Sequence, residues 1–162
     1  RNDAQLMPLS MPLSVAAGEH REQALIRHLG HAGLIPLVGL ALLVWLVTPD
    51  LQAWVALALA AYAALIVSFL GGIHWGIGWS QMAQAPDSKT HFVWGVVPSL
   101  LAWPGLVMPP YAGLAWLGLV LIVCYAVDRR LYTQAGLGVW LKLRFRLSAV
   151  AALSCFIAAG AL

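Results

Sequence analysis

The sequence predicts an all-α fold, a polytopic membrane bundle of five transmembrane helices with its N-terminus cytoplasmic, and three observations carry that prediction. Hydrophobic residues make up 62 % of the 162 positions and charged ones 9 %, whereas a soluble domain carries roughly 25 % charged residues. The apolar residues are gathered into runs that approach the roughly 20 residues a helix needs to cross a bilayer. All nine Lys and Arg (Arg1, Arg21, Arg27, Lys89, Arg129, Arg130, Lys142, Arg144 and Arg146) fall in segments that a five-span path leaves on one side. The opposite connections hold none, so the positive-inside rule puts that side in the cytoplasm or mitochondrial matrix and Leu162 across the membrane. The net charge of +3 is not a nucleic-acid signal, because these cations flank apolar runs where they anchor to headgroups.

In chain order, residues 1–31 read as a flexible arm, Arg1 to Gly18, followed by an interfacial amphipathic helix, Glu19 to His31, with Ala24, Leu25 and Leu29 on one stripe. Residues 32–162 form the membrane domain, with spans over 32–47, 54–79, 92–108, 112–127 and 140–162. Thr48-Pro49 closes the first span, since Pro49 removes a donor and disfavours helix at Thr48. That span has 16 residues, about 24 Å, and needs help from Leu29 to His31 or local thinning of the bilayer. Trp54 and Trp79 bracket the second as interfacial anchors. The third contains Pro98 and Pro104, which predict a kinked helix whose freed carbonyls find neighbours such as Ser99. Pro109-Pro110 ends it, and Asp128-Arg129-Arg130 ends the fourth. Trp140 to Leu147 alternates apolar and cationic residues like a strand, yet a lone strand at membrane depth leaves its backbone unpaired. A helix is expected there, with Lys142, Arg144 and Arg146 snorkelling into headgroups.

The second span organises the rest. Ala56, Ala60, Ala64, Ser68, Gly72, Gly76 and Ser80 recur every fourth residue and form a ridge of small side chains against which another helix can pack closely. This span is expected to be the most buried. Gly33, Pro36, Trp54, Leu57 and Leu59 recur 62 residues later as Gly95, Pro98, Trp116, Leu119 and Leu121, the pattern two related hairpins would leave.

His74 is the ionisable residue set well within an apolar run, which makes it a functional candidate. Its readings are a structural hydrogen bond, a contact to lipid or quinone, or axial ligation of a tetrapyrrole. His31, His91, Asp128, Arg129 and Arg130 lie on the same membrane side and form an expected polar cluster with the character of a salt-bridge network; Asp128 opposes its helix dipole and needs a partner. No catalytic residue and no metal site is expected: the chain shows no nucleophile with a base, no buried carboxylate pair and no metal spacing. Cys124 and Cys155 sit in separate apolar runs and are read as small buried hydrophobes without a disulfide.

SFLGGIHWG (Ser68 to Gly76), WGVVPSLLAW (Trp94 to Trp103), DRR (Asp128 to Arg130) and the LKLRFRL stretch before the last helix together resemble a family of small polytopic membrane proteins. It includes transmembrane protein sixty-nine and is known as domain of unknown function three-four-two-nine. The resemblance covers about Leu29 to Leu162 and implies a polytopic inner-membrane protein, with no chemistry attached. The expected role is that of a non-catalytic accessory subunit or assembly factor in an energy-converting bacterial inner membrane, with the lipid bilayer and other membrane subunits as partners. A quinone-, lipid- or tetrapyrrole-binding component using His74 is the first alternative and a small transporter the second, disfavoured by the lack of buried acids.

Overall fold

A computed structural model describes residues 13–82 and 88–162; the expected arm up to residue 12 and the middle of the Gln81 to His91 loop lie outside the described residues. Every described regular element is helical: α1 (Leu13–Ala32), α2 (Leu34–Leu46), α3 (Pro49–Gln81), α4 (Ser88–Val107), α5 (Pro110–Gln134), a 3-10 turn (Gly138–Trp140) and α6 (Leu141–Ala159). Four stretches are long and apolar enough to cross a membrane: His20–Leu46, Pro49–Gln81, Lys89–Val107 and Pro110–Gln134. Large apolar side chains cover the outside, with Leu46, Trp54, Phe69, Val93 and Val107 all more than 60 % exposed, as a lipid-facing surface requires.

Proline explains most of the punctuation. Pro36 has no N–H for the carbonyl of Ala32, so α1 and α2 are interrupted at Gly33, which keeps helical angles and donates to Leu29 at 3.0 Å. The 27-residue stretch His20–Leu46 therefore runs on as about 40 Å of helix, and the short first span draws its missing length from α1. The helix begins by Leu13 rather than at Glu19, a correction to the expected arm. Thr48 and Pro109 are extended, and Pro49 and Pro110 each open a helix where a missing N–H costs nothing. Gly136, at φ 75°, turns the chain into α6, and the alternating stretch after Trp140 is helical.

α4 passes through Pro98 and Pro104 as one helix. Trp75 donates to the Phe92 carbonyl at 3.1 Å and Trp116 to the Leu101 carbonyl at 2.7 Å, which ties α4 to α3 and α5.

α3 touches α2, α4, α5 and α6, and α5 is buried to the same degree. Its small residues divide into two groups. Ala56, Ala60 and Ala64 are buried and Ser68 half-buried, but Gly72 and Gly76 are exposed, with nothing within 4 Å of where a Cβ would stand. The expected seam fails in its second half because α4 packs on a neighbouring face. There the close approach is between Gly71 and Gly95, where a Cβ on Gly71 would run into the Gly95 carbonyl.

The antiparallel helices give the bundle two unlike ends. At one, Gln52 donates to both Val44 and Ala161 at 3.1 Å and Trp45 to Ile157 at 3.3 Å, joining α2, α3 and α6. The other end collects α1, the α3–α4 and α5–α6 connections and every described cation.

Candidate functional site

At the basic end α3, α4, α5 and α6 each turn one histidine, acidic or basic side chain inward. The helical register accounts for all four. His74 is three residues after Gly71 and His91 four before Gly95, so the glycine contact that lets α3 and α4 approach also sets the two imidazoles face to face. Asp128 and Tyr132 are one turn apart on α5, and Arg144 and Ser148 one turn apart on α6. His74 is 0 % exposed, Asp128 1 %, His91 6 % and Arg144 7 %.

The four form a continuous chain. His74 Nδ1 lies 3.1 Å from His91 Nδ1, and His74 Nε2 lies 2.8 Å from Asp128 Oδ1. Arg144 donates to Asp128 Oδ2 from Nε at 3.0 Å and Nη2 at 2.7 Å, and from Nη1 to the Ser148 hydroxyl. Trp94 adds a fourth hydrogen bond to the carboxylate, from Nε1 to Oδ1 at 3.3 Å. The Tyr132 ring lies 5.5 Å from His74, and the two imidazoles stack with centroids 5.3 Å apart. An ionised carboxylate only accepts, so His74 donates through Nε2; in a neutral ring Nδ1 then accepts, and His91 must donate through its own Nδ1. Proton positions therefore run in one direction, from His91 through His74 to Asp128.

Burying a carboxylate and a guanidinium is costly unless each is paired and hydrogen-bonded, and both conditions are met. Among the described residues no buried side-chain nitrogen or oxygen lacks a partner. No group of three or more His, Cys, Asp or Glu among them is arranged to hold a metal.

Of the expected polar cluster, His91 and Asp128 join His74, whereas His31, Arg129 and Arg130 do not. His31 is exposed and bonds back to the Arg27 carbonyl of its own helix at 2.7 Å, and Arg129 and Arg130 point away from the core. They miss it because they follow Asp128 by one and two residues, about 100° and 200° around α5. Arg144 is the main residue the sequence reading missed, having been placed in the headgroups with Lys142 and Arg146. The signal was present: in a helix, residues two apart point about 200° away from each other, so Lys142 and Arg146 share a face and Arg144 opposes them. Lys142 and Arg146 are exposed and Arg144 is buried. Asp128 likewise corrects the expectation that the bundle holds no buried acid. Trp94, Tyr132 and Ser148 gave no signal of their own. Cys124 and Cys155 are free and buried.

A family model described as "Protein of unknown function (DUF3429)" matches residues 23–160, which include every residue of this cluster. No curated protein and no solved structure matches the chain.

Proposed function

We propose, for a chain that belongs to the DUF3429 family of proteins of unknown function, the role of a non-catalytic accessory subunit or assembly factor in a larger complex of an energy-converting bacterial inner membrane. Its α6 is the fifth span, and the basic end faces the cytoplasm, as the one-sided distribution of cations supports. The observation that carries the reading is that, in the buried polar centre of the described residues, the acid is wholly engaged by neighbouring helices. A catalytic base keeps a lone pair for its substrate, whereas here the carboxylate of Asp128 is occupied by His74, Trp94 and Arg144. Such a centre ties helices together, and the exposed apolar side chains are left for contact with other subunits.

Axial ligation of a tetrapyrrole by His74 is disfavoured, because both of its ring nitrogens already have partners. A transporter gains a buried acid in Asp128, but one neutralised by Arg144 at 2.7 Å rather than free to exchange protons with a substrate. Purification from native membranes in mild detergent tests the proposal. Stoichiometric co-migration with other membrane subunits is expected; a lone chain carrying a Soret or chlorophyll-type absorption band would contradict it.

A further inference from the structure

Beside the closed polar centre runs an open apolar groove between α1, α3 and the start of α6, with a volume of about 490 Å³. Ten of its twelve lining residues are apolar or glycine, and the other two, Tyr132 and Arg144, belong to the polar centre. An apolar cleft of roughly 300–1,000 Å³ with a few convergent polar groups is the usual form of a small-molecule site. We infer that this groove binds a neutral, lipid-soluble carbonyl compound of the quinone class, its tail along Leu29, Phe69 and Leu147 and its head at Arg144 and Tyr132.

Four features select this occupant. Ile26, Leu29 and Phe69 on the rim are 47, 63 and 67 % exposed on the lipid-facing surface, so the ligand arrives from the bilayer. The groove's one cation is already neutralised by Asp128, so an anionic headgroup would meet a carboxylate behind the guanidinium and a neutral head is favoured. Arg144 has five N–H bonds, of which Asp128 takes two and Ser148 one, leaving donors for a carbonyl oxygen. Aromatic lining by Phe69, Tyr132 and Trp140 suits a flat ring. Binding alone is inferred, and it is independent of partner association.

The test is native mass spectrometry of the full chain released from neutral phosphatidylcholine nanodiscs loaded with a short-tailed benzoquinone. One saturable adduct per chain is expected. Gly30→Leu places a side chain in the groove without touching the polar centre; the nearest neighbour of its Cβ would be the movable Leu147 side-chain tip at 3.1 Å. It should weaken binding at least tenfold with an unchanged melting temperature. Tyr132→Phe, which keeps the ring and loses the hydroxyl, should weaken it several-fold. No adduct, an adduct equally strong in Gly30→Leu, or displacement by an equimolar anionic phospholipid would each overturn the inference.

Discussion

Asp128 accepts four hydrogen bonds from three other helices, so its removal is expected to do more damage than any single contact would indicate. Asp128→Leu leaves the Arg144 charge buried without its partner, and a loss of about 3–5 kcal/mol is expected in denaturant unfolding in detergent. Adding Arg144→Met should restore much of that loss, since a buried ion pair and an apolar pair of similar volume are often close in stability. A double variant as unstable as the sum of the two single ones would show that the pair is not the source of the cost. His74 lies between two partners and is best compared in two replacements. Gln keeps a neutral hydrogen-bonding group and should be tolerated, whereas His74→Leu leaves a carboxylate oxygen and His91 short of a partner and should cost about 1–3 kcal/mol in the same assay. The identities of three members of this centre were legible in the sequence, because an ionisable residue inside or at the end of an apolar run is conspicuous. Arg144 was hidden by its neighbours: between Lys142 and Arg146 it looked like one anchor of three, and only helical geometry separates it from them.

For the elements, proline and hydropathy carried the reading well: the breaks at Thr48-Pro49 and Pro109-Pro110, the helix across the alternating stretch after Trp140 and the central position of α3 all appear in the structure. What a four-residue spacing of small side chains cannot say is which helix face a neighbour will use. Gly71 and Gly72 are adjacent and alike in sequence, yet only Gly71 meets another backbone. Gly71→Leu is therefore expected to disrupt the α3–α4 contact and to melt well below the parent, while Gly72→Leu, projecting into open space, should stay within about 0.5 kcal/mol of it. Equal behaviour of the two variants in thermal unfolding would mean that α4 does not sit where it is described. The repeated Gly, Pro, Trp and Leu pattern coincides with two hairpins of similar plan, α2–α3 and α4–α5, each with a two-residue turn followed by a helix that opens on proline.

The whole molecule is polarised between a cation-bearing end, where the polar centre lies, and an end where Asp50 is the charged residue among those described. Reporter fusions after Leu162 and within the Gln81 to His91 connection are expected on opposite sides of the membrane, the latter in the cytoplasm. The same side for both would mean that α6 does not cross. The measurement that bears most directly on the proposal of a bundle fastened by a buried polar centre and working through partners is the assembly size of His74→Gln in native membranes, by mild-detergent gel and subunit identification. It should migrate with the same subunits as the parent, because a neutral hydrogen-bonding side chain preserves the fastening and the proposed role asks no chemistry of the imidazole. A His74→Gln chain that folds and melts like the parent but migrates without those subunits, or a parent that itself runs alone, would contradict that reading.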